Sequence, residues 1–187
     1  MPPKVKVTGE EIVSAALTLV REHEGHTINA RNLAAHLQCS TQPIFSNFAT
    51  MNELRNAVIA KAAALYMDYT RREVESDEYP TYKATGMAYI RFAKEEPELF
   101  KLLFMRDRTQ EDQTKHTDDF EVMISMVQQN LGLSEEKALL FHLEMWVCVH
   151  GIATMMATSY LNIEEELVSR MLSDYYLGLK NRFPTEE

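Results

Sequence analysis

The sequence predicts an all-α protein, and three observations carry this prediction. Only six glycines and six prolines occur in 187 residues, which favours long helices over a turn-rich sheet protein. Two Thr-x-x-Glu patterns, which cap helices, precede apolar runs. The apolar residues recur at helical spacing, as in the first run: Ile12, Ala15, Ala16, Leu19 and Val20.

Charge divides the chain into two parts. The net charge is −9, yet residues 1–60 contain as many basic as acidic side chains, so residues 61–187 carry all of it. A strongly acidic protein is a poor partner for nucleic acid, but this objection does not hold for the neutral first part. The asymmetry indicates two parts with different tasks.

The cysteines and the apolar segments indicate a cytoplasmic protein. Cys39 and Cys148 lie far apart in apolar surroundings, which is typical of free thiols in a reducing compartment. The first eleven residues lack the apolar core of a signal peptide. Residues 138–157 are apolar but contain Glu144 and two histidines, so we expect a buried or interfacial helix rather than a membrane span.

The first 50 residues predict three helices. Thr8 and Glu11 form a capping box for the first, and Gly25 is placed to end it. Asn29 is the predicted N-cap of the second, which carries Leu33 inward. Ser40 is the predicted N-cap of the third, with Pro43 as its third residue.

The third helix is too short to be stable alone, so it must be held by its neighbours. Ile44, Phe45 and Phe48 are predicted to bury its apolar side. Its outward side chains, which can hydrogen-bond bases or phosphates, are Thr41, Gln42, Ser46 and Asn47. A helix, a tight turn and a short helix with a polar outer face predict a helix-turn-helix, whose second helix enters the DNA major groove.

A long fourth helix, about residues 50–72, links the two parts of the chain. Thr50 and Glu53 form a second capping box, and Leu54 and Val58 begin its apolar stripe. We place the domain boundary within it, giving residues 1–52 as the DNA-binding domain and 53–187 as a helical domain. The further helices are predicted over 81–95, from Pro97, over 114–131 up to Gly132, from Ser134 to about 158, and over 163–181.

The first 60 residues resemble the DNA-binding domain of the TetR family of bacterial transcriptional regulators. The resemblance is spread over the segments EEIVSAALTLVREHEG, NARNLAAHLQCS and PIFSNFATMNELRNAVI. The positions that match the family pattern are Arg31, Ala34, Ser40, Phe45-Ser-Asn-Phe48 and Leu54. The resemblance implies that the third helix recognises an operator.

Several positions depart from the family pattern. Phe45 replaces the usual Tyr, Asn47 the usual His, and Gln38 the usual Gly of the turn. A Lys frequent at the start of the fourth helix is absent, and Asn52 lies nearby. We therefore expect weaker binding to the DNA backbone and a smaller salt dependence.

The residues predicted to contact DNA are Arg31, Ser40, Thr41, Gln42, Phe45, Ser46, Asn47, Asn52 and, in a basic N-terminal arm, Lys4 and Lys6. The Gln42 carboxamide matches adenine, although a solvated Gln at a helix start is the plainer interpretation. Ser40 is predicted first as a helix cap, with a phosphate contact as an additional role. For Arg31, an ion pair with an acidic neighbour is the alternative to a phosphate contact.

The second part resembles a subgroup of the family's ligand-binding domains through FAKEEPELFKLLF and Trp146-x-x-x-His150-Gly151. The resemblance implies an effector cavity, for which we select Phe92, Phe100, Phe104, Phe120, Met123, Met145, Trp146 and His150. It also implies homodimerisation through the last two helices. The selected interface residues are Leu143, Val149, Ile152, Met156, Leu167, Met171, Leu172, Tyr175 and Leu179.

The sequence therefore predicts a one-component, homodimeric DNA-binding regulator, a repressor released from its operator by a small-molecule effector. A helical protein-interaction module that has lost operator binding is the alternative, and a ligand carrier is third. The sequence contains no catalytic motif. It also lacks the spacing of metal ligands, since His142 and His150 are two helical turns apart and too loosely spaced. We expect no cofactor, no metal and no enzymatic activity.

Overall fold

The computed structural model describes residues 7–22, 28–107, 109 and 117–183. These residues fold into nine α-helices and contain no β-strand, which confirms the predicted all-α class. In chain order the helices are α1 (Gly9–Glu22), α2 (Ala30–His36), α3 (Gln42–Asn47), α4 (Met51–Glu75), α5 (Thr81–Glu95), α6 (Pro97–Phe104), α7 (Thr117–Leu131), α8 (Glu135–Ala157) and α9 (Glu165–Arg182).

Both predicted capping boxes are present. The Thr8 N–H donates to the Glu11 carboxylate at 2.7 Å, and the Glu11 N–H donates to Thr8 Oγ1 at 3.2 Å. At α4, the Glu53 N–H donates to Thr50 Oγ1 at 3.1 Å, while the Glu53 carboxylate accepts from the Ala49 N–H at 2.7 Å. The threonine hydroxyls satisfy backbone donors that the first turn of a helix leaves unpaired, and the glutamates bond backbone N–H groups just before the helix.

Two predicted helix starts are wrong by one or two residues. The N-cap of α3 is Thr41 rather than Ser40, because the Thr41 carbonyl accepts the first hydrogen bonds of the helix, from the Ile44 and Phe45 N–H groups. Pro43 is therefore the second residue of α3. Helix α9 begins at Glu165 rather than 163. Gly25 and residues 114–116 lie outside the described residues.

The chain divides into two compact units. The first consists of Met1–Met67 together with Glu96–Arg106, where α1 packs against α2, α3 and α6. Arg21 forms a bidentate ion pair with Glu96, with N···O distances of 2.6 and 2.7 Å. The fully buried residues of this unit are Ile12, Ala16, Val20, Leu33, Ile44, Leu54, Val58, Ala62, Leu99 and Phe100.

The second unit consists of Asp68–Glu95 together with Asp107–Glu187. Helices α5 and α8 pack along each other, and α7 and α9 pack against this pair. One core cluster joins α7, α8 and α9 through Val127, Leu131, Leu133, Ala138, Phe141, Met145 and Leu179. This division differs from the predicted domain boundary after residue 52, which stays a prediction.

Helix α8 is long and apolar enough to cross a membrane by length and composition, and it is the one such helix among the described residues. The core helix of a globular domain meets the same criteria. In α8, Phe141, Met145 and Ile152 are buried against the neighbouring helices. One face of α8 thus belongs to the core of the second unit.

Candidate nucleic-acid interface and helical effector unit

The turn between α2 and α3 depends on a left-handed residue. Asn29 caps α2 by accepting the Asn32 N–H at 2.9 Å. Gln38 then adopts φ 51°, a conformation that favours glycine, and this is the turn position where the family usually has Gly. The Cys39 N–H donates to the Ala34 carbonyl at 2.9 Å, which closes the end of α2. The chain thereby reverses within a few residues and begins α3.

Asn47 is exposed, as predicted, and its amide group is also hydrogen-bonded within the protein. Its Nδ2 donates to the Pro43 carbonyl at 2.8 Å and to the Val7 carbonyl at 3.3 Å. Both amide hydrogens therefore have partners within the protein, and Asn47 connects α3 to the segment that leads into α1. This side chain therefore helps to position α3 while it stays at the protein surface, and its contact with DNA stays a prediction.

The outward face of α3 consists of Thr41, Gln42, Phe45 and Ser46, all exposed. At about 100° of rotation per residue, Gln42, Phe45 and Ser46 fall within about 100° around the helix axis. The prediction that Phe45 is buried is wrong, because Ile44 alone is fully buried on α3 and Phe45 is 52% exposed. Ser46 Oγ donates to the Gln42 carbonyl at 2.9 Å.

The other predicted DNA contacts lie at helix ends. Arg31 is exposed in the first turn of α2, Ser40 is exposed in the turn, and Asn52 is exposed in the first turn of α4. Lys4 and Lys6 lie outside the described residues. Among residues 40–47, all of which the structure describes, no side chain is charged.

The predicted effector residues do not form one group. Phe100 and Phe104 belong to the first unit, where their ring centroids lie 5.1 Å apart. Met145 is part of the core cluster of the second unit. Trp146 is 42% exposed. Sequence periodicity alone does not distinguish these environments, because core, cavity and surface positions all recur with the helical period.

Two tyrosine–histidine pairs join α5 to α8, and the sequence did not reveal them. The Tyr82 hydroxyl lies 2.9 Å from His142 Nδ1, and the Tyr89 hydroxyl lies 2.8 Å from His150 Nδ1. Burial lowers the pKa of His142 to about 4 and lowers the pKa of His150 as well. In each pair the tyrosine hydroxyl and the neutral imidazole are hydrogen-bonded, and the tautomer of the histidine sets which of the two atoms donates. Only the packing of α5 on α8 brings these residues together.

Aromatic and thioether groups surround these pairs. The Phe120 ring lies 4.8 Å from the His142 ring, and the Trp146 ring stacks on His150 at 5.1 Å with an interplanar angle of 13°. Met123 Sδ lies 3.9 Å from the Thr85 hydroxyl. Of the predicted effector residues, Phe120, Met123 and His150 thus lie on the helices α7 and α8 that pack against α5, and Phe92 is fully buried in α5.

Five of the predicted interface residues are core residues instead. Val149, Ile152, Met156, Leu172 and Leu179 are at most 8% exposed within the single chain. Side chains already buried by their own protomer offer little surface to a partner. The predicted residues Leu143, Leu167, Met171 and Tyr175 remain 37–41% exposed.

An exposed apolar surface runs along α8 and α9. On α8 it includes four residues that are 37–65% exposed and were not predicted to form an interface: Leu139, Leu140, Trp146 and Val147. We call these four residues, together with Leu143, Leu167, Met171 and Tyr175, the α8–α9 surface. Within the described residues, no three histidine, cysteine or acidic side chains are grouped to hold a metal.

A helix-turn-helix with an exposed outer face on α3, joined to a separate helical unit, defines the class of helix-turn-helix transcriptional regulators. Residues 82–175, half of the chain, match the family model described as Tetracyclin repressor-like, C-terminal domain. The chain therefore belongs to the TetR family of DNA-binding transcriptional regulators. In this family, repression and release by an effector are typical.

Solved structures share this fold. A TetR-like transcriptional regulator from Rhodococcus sp. RHA1 has a TM-score of 0.69 and 14% identity, covering 95% of this chain and 96% of its own. A protein from Pseudomonas aeruginosa PAO1, assigned to the transcriptional regulators, has a TM-score of 0.69 and 12% identity, covering 94% of this chain and 93% of its own. Identities this low show the common fold alone. No curated protein matches the chain in sequence.

Proposed function

We propose that this protein is a cytoplasmic, homodimeric repressor that leaves its operator when a small molecule binds the second unit, and that it has no enzymatic activity. The observation that carries the proposal is the outward face of α3, where Gln42 is exposed beside Phe45 on a helix held from behind by Ile44. A helix presented in this way enters the major groove.

The proposed DNA contacts form two groups. Thr41, Gln42, Phe45 and Ser46 face the bases. Arg31, Ser40 and Asn52 lie at the flanks, where side chains meet phosphates, and Lys4 and Lys6 would add a basic arm. Arg31 is the one cation among the described members of this set, so we expect a shallow dependence of affinity on salt.

The proposed dimer uses the α8–α9 surface. Its exposed apolar side chains from two neighbouring helices give a stripe that a second copy covers with the same residues, as twofold symmetry requires. Gly151 lies beside this stripe, and a Cβ there meets no atom within 4 Å in its own chain. The two α3 helices would then read successive major grooves, about 34–36 Å apart.

The proposed effector site is within the second unit, near Phe92, Phe120, Met123 and His150. The two tyrosine–histidine pairs supply its polar groups, and the neighbouring aromatic rings supply apolar contact. An effector changes DNA affinity only if it binds the DNA-bound and free conformations unequally.

Fluorescence anisotropy tests the DNA-binding proposal. The full chain is used to select duplexes from a random library, and the enriched duplex is titrated at about 50 and about 200 mM salt with scrambled competitor. We expect saturable binding that resists competitor. In Gln42→Ala the discrimination at one adenine position falls by about 1–3 kcal/mol, whereas Glu10→Gln on the exposed start of α1 leaves it unchanged. Binding that competitor abolishes would instead favour the protein-interaction module.

A further inference from the structure

We propose that Phe45 is a specificity-determining residue that contacts the C5-methyl group of a thymine in the operator. This inference rests on the proposed function, in which α3 enters the major groove. It assigns Phe45 to base recognition rather than to the protein core or to the phosphate backbone.

The packing of the protein core does not depend on Phe45. Ile44 is 0% exposed and Phe48 is half-buried, and these two side chains attach α3 to its neighbours. Phe45 is 52% exposed, so the folded chain forgoes the free energy that burying its ring would give. An aromatic ring left on the recognition face is therefore available to a ligand.

Two polar neighbours of Phe45 on α3, Ser46 and Asn47, already donate hydrogen bonds within the protein. Ser46 Oγ already donates to the Gln42 carbonyl at 2.9 Å. Asn47 donates both amide hydrogens to the Pro43 and Val7 carbonyls. At the centre of the face, Gln42 is the long polar side chain and Phe45 is the apolar one.

The chemistry of the DNA major groove limits what a phenylalanine ring can contact. The phenylalanine ring has no hydrogen-bonding group, so it cannot bond a phosphate or the polar edge of a base. The edges of base pairs in the major groove are donors and acceptors, and the thymine methyl group is the apolar exception. The methyl group is therefore the partner that matches Phe45.

The spacing of Gln42 and Phe45 on α3 determines how far apart their two bases lie. Gln42 and Phe45 are three residues apart, so their Cβ atoms are about 5–6 Å apart on one side of the helix. Base pairs rise about 3.4 Å each along the duplex. We therefore expect the thymine that Phe45 contacts to lie one or two base pairs from the base that Gln42 contacts.

Removing one methyl group from the DNA tests the inference directly. The duplex selected with the full chain is prepared with each thymine replaced in turn by deoxyuridine, which keeps base pairing and lacks only the methyl. We expect one thymine in each half-site whose replacement weakens wild-type binding by about fourfold, the effect of burying one methyl group. In Phe45→Ala, which is checked for helical circular dichroism, the same replacement has no effect.

Control variants separate this contact from general losses. Gln42→Ala keeps the fourfold response to deoxyuridine, because Gln42 contacts a different base, and Phe45→Leu keeps part of it through its apolar side chain. A selected duplex in which no thymine responds overturns the inference, as does an undiminished response in Phe45→Ala. If the selection enriches no sequence at all, the proposed function fails and this inference fails with it.

Discussion

Asn47 and Phe45 are both exposed, although the sequence predicts a buried Phe45. An amide beside a phenylalanine on a short helix favours the amide outside and the ring inside. In the structure, the Asn47 amide binds the Val7 and Pro43 carbonyls, and the Phe45 ring is half exposed. The helical period places Asn47 about 140° around the axis from Gln42, on the side where its amide reaches the Val7 carbonyl.

At the residue scale, His142 gives a prediction on pH. Its pKa is about 4 in the folded chain, below the ordinary 6.5, because the ring is buried. Between these values the unfolded chain binds a proton that the folded chain does not, so the free energy of unfolding decreases as the pH falls from about 6.5 to about 4. The loss reaches about 3 kcal/mol.

Urea unfolding at a series of pH values measures this effect. We expect the free energy of unfolding of His142→Gln to depend less steeply on pH over that window than that of the wild type. Tyr82→Phe is the matched control, because it removes the hydroxyl 2.9 Å from Nδ1 and leaves the buried imidazole in place. Equal slopes for the wild type and His142→Gln would contradict the prediction.

At the scale of helices, the caps at α3 and α4 differ. Thr50 accepts the Glu53 N–H at 3.1 Å, whereas the N-cap of α3 makes no side-chain hydrogen bond. We expect Thr50→Ala to lower the free energy of unfolding by about 1 kcal/mol. Ser40→Ala, which removes a similar hydroxyl ten residues earlier, changes it by less than about 0.5 kcal/mol.

Thermal or urea unfolding followed by circular dichroism checks this pair of variants at one protein concentration. A loss for Ser40→Ala as large as that for Thr50→Ala would restore Ser40 as the cap of α3. A normal stability with weakened DNA binding would instead assign the Ser40 hydroxyl to a phosphate contact.

Arg91 connects three helices in the second unit. Its guanidinium bonds Glu73 on α4 and Glu165 at the start of α9. Glu73 is 3% exposed, and its Oε1 has no hydrogen-bond partner in the described residues. Burial raises the pKa of Glu73, and the Arg91 charge opposes this rise. Arg91 thus compensates a buried carboxylate.

We expect Arg91→Met to lower the free energy of unfolding by about 3 kcal/mol or more, since it leaves a buried charge without a partner. Glu165→Gln removes the exposed half of the network and should cost less than about 1 kcal/mol. Adding Glu73→Gln to Arg91→Met should recover most of the loss. Denaturant titration measures all three, and no recovery in the double variant would refute the explanation.

At the scale of the whole molecule, exposed apolar residues decide how chains associate. The α8–α9 surface contains Val147, which is 65% exposed, and α7 carries Val122 outside this surface at 56% exposed. We expect Val147→Asp to raise the dimer dissociation constant on the order of 100-fold, because twofold symmetry buries the new charge twice.

Sedimentation velocity over a range of protein concentrations measures this change. Val122→Asp introduces the same charge on another helix and should leave the dissociation constant unchanged. If both variants dimerise like the wild type, the α8–α9 surface is not the interface. If the wild type itself is monomeric at all concentrations, the proposed homodimer is wrong.

Much of the helical architecture was predictable from local sequence. Thr8 and Glu11, Asn29, and Thr50 and Glu53 all mark helix starts that the structure confirms, because caps act on backbone groups a few residues away. The candidate sites were less predictable. Met145 and Val149 lie on an apolar helix whose sequence does not say which side meets other helices.

The sequence by itself determined the helices, the helix-turn-helix order and the neutral charge of the DNA-binding part, since spacing, caps and charge are local properties. Only the tertiary structure decided which side chains are available. It bonded the Asn47 amide to the Pro43 carbonyl, left Phe45 exposed, paired Tyr82 with His142, and exposed Trp146 and Val147. The physical reason is that burial and hydrogen bonding depend on neighbouring helices, which are distant in the chain.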